Sequence, residues 1–223
     1  MRLSNHHVSR DLRSVELALR MLSHEARTHT VSLWTGISSD RVRKLSISQR
    51  REKPQRAARR YRGPSQTQLG TVLTSPSLRS EAAAIAYVCH MFEVMPAQPV
   101  ENARATLPSV PRGEQVCSAL EFFEALVPPT QLTFDQWVLL LQSLAEAKEW
   151  GMARCARCPA LVVADRLALE KPLCDDCQQA DRAKKSPVAR KSGAQGTEPT
   201  KASPNEPQSG AQLSLFDDQK KSG

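Results

Sequence analysis

A chain of 223 residues and 24.7 kDa has room for one medium domain or two small ones. No run of about 18 apolar residues is present, which excludes a helical membrane span, and Met1–Arg13 lacks the apolar stretch of a secretory signal. The formal charge of +8, with a pI near 9.4, favours an acidic polymer as partner. The charge is unevenly spread. Residues 41–62 carry ten Lys/Arg against the single acid Glu52, whereas residues 63–150 carry four basic and nine acidic side chains.

In chain order, residues 10–23 have a helical period, with Leu12, Val15, Leu19 and Leu22 on the predicted inner face. A second helix is expected from Glu25 to Trp34. Gly36 interrupts it, and Ser38 or Ser39 caps a short third helix through Leu45. The stretch 46–64 is polar and basic. Residues 78–95 return to helix, with Ala82, Ile85, Val88, Cys89 and Phe92 on one face. Pro96, Pro99, Pro108 and Pro111 then predict a loop. Two further helices are expected around 114–126 and 133–149, burying Phe122, Phe123, Leu126, Trp137, Leu140, Leu141 and Leu144. From Lys184 onward the chain is Ser, Pro, Gly, Gln and Lys with almost nothing to bury, a composition that predicts disorder. The expected fold is mainly α. A helical domain over 1–150 contains a helix-turn-helix-like segment, a four-cysteine zinc module follows over 151–181, and a disordered tail covers 182–223.

Four of the six cysteines form two CxxC pairs, Cys155/Cys158 and Cys174/Cys177, separated by 15 residues. Each such turn can present two thiolates to one metal, and two turns close a tetrahedron around one Zn2+ with no position left for water. A closed site is structural rather than catalytic. The same residues could instead be reduced core cysteines, redox pairs or iron–sulfur ligands. A redox pair opens a helix after a strand, and neither context is apparent in the residues. The intervening Leu161, Val162 and Val163 suit a short strand. Cys89 and Cys117 lie on apolar helical faces and read as core. The double CxxC also suits a reducing compartment, so the chain reads as cytosolic.

Thr28–Leu45 has the spacing of a helix-turn-helix. Ser32 stands four residues before Gly36, which takes the turn, and Val31, Ile37, Val42 and Leu45 form the shared core. Ser38, Ser39, Arg41, Arg43 and Lys44 then face outward, types that reach base edges or phosphates in a major groove. An ordinary helical hairpin with a basic face has the same pattern. The run that follows includes Arg50, Arg51, Lys53, Arg56, Arg59, Arg60 and Arg62. It can be a solvated linker, but so dense a charge calls for an anion, and DNA phosphate supplies one. No Gly-rich phosphate loop, HExxH or nucleophile with a nearby base is present, so no enzyme is expected.

Over residues 10–180, an N-terminal helix, Ala26-Arg27, the Arg41-Val42-Arg43-Lys44-Leu45 helix, the basic segment, Gly63-Pro64-Ser65, Trp137-Val138-Leu139 and the closing CxxC pairs resemble the FlhC family in that order. That family is the larger subunit of the bacterial flagellar master activator, with relatives on conjugative elements. The resemblance implies an all-helical fold with a four-cysteine zinc site and a hetero-oligomer with a small helical FlhD-like subunit. It also implies promoter DNA binding and action on RNA polymerase. The segment between Gly63 and Leu78 lacks the aromatic residues expected there, and the long tail departs from the family. Within that tail, Gln212-Leu213-Ser214-Leu215-Phe216 resembles the pentapeptide that docks on the bacterial replicative sliding clamp. A clamp-recruited DNA-maintenance factor using the same basic surface is therefore the alternative function. For the tail peptide itself, folding back on its own domain is the alternative.

Overall fold

The structure is a computed structural model that describes residues 5–52, 66–127 and 130–185. These residues are mainly helical. Eight α-helices are α1 (Asn5–Ser23), α2 (Thr28–Thr35), α3 (Ser39–Glu52), α4 (Pro76–Met91), α5 (Ala103–Thr106), α6 (Val110–Leu126), α7 (Phe134–Glu146) and α8 (Asp175–Lys185). One 3-10 turn covers Leu69–Thr71, and the strands β1 (Trp150–Arg154) and β2 (Leu161–Asp165) form an antiparallel hairpin. Met1–Ser186 forms one compact unit, and Pro187–Gly223, the second, lies outside the described residues. No helix among the described residues is long and apolar enough to cross a membrane.

Helix α7 gathers its polar residues on one narrow face and is apolar over the rest, and none of its residues is fully exposed. Phe134, Trp137, Val138, Leu139, Leu140, Leu141 and Leu144 are all buried. A capping box starts it. The Thr133 hydroxyl accepts from the Gln136 N–H, and the Gln136 side chain accepts from the Thr133 N–H at 2.8 Å. Phe123 of α6 meets Trp137 edge-on at 5.5 Å between ring centroids.

Helix α1 runs beside α6. Arg13 pairs with Glu114 and Arg20 with Glu121, at 2.6 and 2.5 Å. Both helices advance seven residues between the two bridges, so they lie parallel. Gly113 permits the close approach: a Cβ there would stand 2.7 Å from Leu17 Cδ2 and 3.3 Å from Trp34 Cε3. The inner face of α1 is Leu17, Ala18, Met21 and Leu22. Leu12, predicted to point inward, is 57% exposed, because it lies N-terminal to Arg13, where the pairing with α6 begins.

The Arg20–Glu121 bridge has a pH signature. Chiefly through the Arg20 guanidinium, with His24 adding a bond at 3.1 Å, Glu121 drops from its ordinary 4.5 to about 2. A depressed carboxyl stabilises the fold fully above its ordinary value and loses that contribution as pH falls from 4.5 through about 2. Wild type should therefore exceed Glu121→Gln in stability near pH 7 by up to about 1 kcal/mol, the ceiling for an exposed pair. Urea midpoints measured against pH should converge below 4.5, and a gap independent of pH would contradict the assignment.

Helices α2 and α3 meet at a short turn. Gly36 has φ 73°, a left-handed conformation that favours glycine, and its N–H donates to the Ser32 carbonyl at 3.0 Å. The Ser38 hydroxyl accepts from the Arg41 N–H at 3.4 Å and starts α3. Val31, Trp34, Ile37 and Val42 are buried between the helices, with Leu45 against them. Helix α3 continues to Glu52, past the predicted end at Leu45. Its sequence holds no Gly or Pro before Pro54, and the Gln49 amide donates to the Leu19 carbonyl at 3.2 Å.

No side chain of its own segment caps α2. Asp135, in the first turn of α7, does so from across the molecule. Its carboxylate accepts from the Arg27 N–H at 3.2 Å and from the Thr30 hydroxyl. Burial pushes the Asp135 carboxyl up from its ordinary value, and those two donors hold it back.

Two helices were not anticipated. Within the predicted proline loop, Ala103–Thr106 forms α5, started by Asn102 in the left-handed region and by Glu146 of α7, which accepts from the Ala103 N–H at 2.9 Å. The second is α8, which carries half of the candidate metal site.

Candidate metal centre and nucleic-acid interface

The hairpin register pairs Trp150 with Asp165 and Arg154 with Leu161, so the chain leaves β1 and re-enters β2 through Cys155–Ala160. That connection holds the first CxxC. Cys174 lies immediately before α8, and Cys177 lies in its first turn. The second pair thus does open a helix, contrary to the sequence expectation. A loop from Arg166 to Leu173, rather than a strand, leads into it. What argues against a redox pair is convergence: the four Sγ atoms all lie within 4.8 Å of one another.

A tetrahedral metal with thiolates at about 2.3 Å sets its sulfurs about 3.8 Å apart, so this cluster has the size of a one-metal site. A multi-iron cluster holds its thiolates on different irons and spreads them further. Cys158 and Cys174 Sγ are already 3.5 Å apart. Donors also aim at sulfur. The Cys174 N–H donates to Cys155 Sγ at 3.3 Å and, with the amides of Arg157 and Cys158, pulls that thiol down to about 6. Cys177, crowded by the thiols of Cys174 and Cys158, is pushed up to about 12. Four sulfurs this close cannot all ionise without a cation among them, and a dication supplies the compensating charge.

The surroundings fix the cluster. The Cys155 N–H donates to the Ala160 carbonyl at 2.8 Å and the Ala156 N–H to the Pro172 carbonyl at 2.9 Å. Arg157 bridges to Asp181 of α8, tying the first knuckle to the helix of the second. Trp150 and Val163 of the hairpin belong to the main apolar core, and the Asp175 N–H donates to the Ser80 hydroxyl of α4 at 3.4 Å. Cys89 and Cys117, by contrast, are isolated in the core, where burial pushes both thiols up to about 12.

On α3, Ser39 is half-buried at the helix start, and Arg41, Arg43, Lys44 and Arg51 are exposed. Lys44 and Arg51, two turns apart, point away from the buried Val42 and Ser46, and Arg41 and Arg43 flank them. Asp40 shares that surface and holds Arg43 at 2.7 Å, an acidic neighbour the sequence reading did not weigh. Arg50 is half-buried. Arg59, Arg60 and the peptide Gln212–Phe216 lie outside the described residues.

Of the aromatics on α6 and α7, Phe123, Phe134 and Trp137 are buried within the chain. Phe92 is half-buried against the core, and its ring tilts against Phe122 at 5.6 Å. Phe122 is 41% exposed, in the same class as Tyr87, Met91, Leu126 and Val127. Comparison of the chain with protein-family models, with curated proteins and with solved structures returned no match.

Proposed function

We propose that this chain is a DNA-binding subunit of a transcription activator, similar to FlhC, with its four cysteines closed around one structural zinc ion. The observation that carries the reading is α2–Gly36–α3. A glycine-turned helix pair presents Arg41, Arg43, Lys44 and Arg51 outward and feeds directly into a run of basic residues. Arginine and lysine on such a helix contact guanine edges and phosphates, and the run behind it neutralises further phosphates. The acidic stretch 63–150 carries a different surface. Tyr87 and Met91 are one turn apart on α4, Phe122 and Leu126 one turn apart on α6, and the Phe92–Phe122 ring contact joins the two helices. That exposed apolar strip suits a helical subunit of the FlhD type, and a complex with RNA polymerase at flagellar or conjugative-transfer promoters is the functional setting.

The test is co-expression with a neighbouring small helical protein, followed by footprinting on candidate promoters. The expected result is a stable complex that gives symmetric protection. A lone chain that stays monomeric and soluble and protects the same sites unaided would sink the partner assignment. Within the complex, Arg43→Ala should weaken specific binding by about 1–3 kcal/mol and relax the sequence preference. Arg59→Ala, in the basic run, should weaken all DNA equally and lower the salt dependence by about one counterion. Losses from both that ignore sequence would remove α3 as the reading helix and favour a sequence-indifferent DNA-maintenance role.

A further inference from the structure

Helices α2 and α7 meet at their N-terminal ends, where Asp135 caps α2, and beyond that contact a cavity of about 400 Å³ opens between them. Thr30, Leu33 and Trp34 line one wall, and Val138, Leu139 and Gln142 the other. Arg104 of α5 stands at its edge. The residues recur at helical spacing on both sides, so the cavity lies between two facing helix surfaces.

Two of its polar side chains, Gln142 and Arg104, are available to a ligand. Gln142 is 8% exposed, and its amide makes no hydrogen bond among the described residues. Trp34 is 1% exposed and presents ring carbon rather than a polar atom to that wall, since its Nε1–H is sealed from solvent. Arg104 is exposed and has no acidic partner among the described residues. An amide without a protein partner on the wall of a cavity is open to a ligand, because only water competes for it. The acid that lines the cavity, Asp135, is already engaged by the Arg27 N–H and the Thr30 hydroxyl.

We propose that this cavity binds a small organic carboxylate whose apolar body lies between Leu33, Val138 and Leu139. The carboxylate meets Arg104 and the Gln142 amide, and the Trp34 ring closes the wall beside them. The site is independent of the DNA reading, although a ligand held there would brace α2 against α7.

The experiment uses the full chain labelled with 5-fluorotryptophan and benzoate as the probe. Trp34, Trp137 and Trp150 are the three tryptophans, assigned through single Trp→Phe variants. Benzoate should shift the Trp34 fluorine resonance saturably and leave Trp150 unmoved. Arg104→Ala, on the surface, and Gln142→Leu, close in size, should each weaken binding by about tenfold, the loss of one charge-assisted contact. Benzamide should bind at least about tenfold more weakly than benzoate. No shift at Trp34, equal affinity for benzamide, or unchanged binding in both variants would each overturn the proposal. Occupation of the cavity by a co-purified protein subunit, seen as loss of benzoate binding in the complex, would overturn it as a small-molecule site.

Discussion

The purified chain should carry one zinc ion, and Cys155→Ser or Cys177→Ser should remove the metal and unfold the hairpin. Structural zinc contributes an apparent ~10–16 kcal/mol that is also folding free energy, and loss of one thiolate from a closed site forfeits much of it. A two-stranded hairpin is marginal alone. Here β1 and β2 have five residues each, and their connection is pinned by the cysteines. The damage should not stay local, because Trp150 and Val163 lie in the main core and α8 touches α4 through Asp175 and Ser80. Metal analysis together with Trp150 fluorescence reads both effects. Iron in place of zinc, or a folded protein free of metal, would refute the assignment.

Trp137→Ala should cost about 3–5 kcal/mol, a large part of the ~5–15 kcal/mol that holds a domain of this size. The ring is fully buried in the interior helix and packs edge-on against Phe123. Trp137→Phe should cost far less. The smaller ring leaves a cavity, but it also removes an indole N–H that has no acceptor, a group whose burial costs about 1–3 kcal/mol. The two effects nearly offset. Urea unfolding of both variants checks the ordering, and a Phe variant as unstable as the Ala variant would show that the N–H is satisfied in solution.

The four cysteines were legible because metal chemistry demands a spacing that core packing does not. The Gly36 turn was legible for a similar reason, since few residues other than glycine adopt its φ of 73° readily. Less was readable where a choice depended on a distant neighbour. Leu12 has the same period as Leu19 and Leu22, and only the reach of α6 leaves it exposed. Phe122 and Phe123 are adjacent and identical in type, yet one turns outward and the other meets Trp137. The cap on α2 comes from Asp135, 108 residues beyond Arg27, and no local pattern announces it. The cavity between α2 and α7 was invisible for the same reason. The helical start at Asp175 was not legible because Cys174 stands before it where a Ser, Thr, Asp or Asn would announce a helix.

The long bridges also order events during synthesis. Arg13, Arg20 and Arg27 find their acidic or capping partners 101 to 108 residues later, at Glu114, Glu121 and Asp135. A ribosome adding about 5–20 residues per second therefore leaves the N-terminal helices without these partners for about 5–20 s. Through that interval Leu17, Met21, Val31 and Trp34 lack the α6 and α7 surfaces that bury them, while the basic run after α3 has already emerged. The nascent chain is thus sticky and polycationic before it is folded, which makes the translation rate between residues 52 and 135 a determinant of how much protein survives.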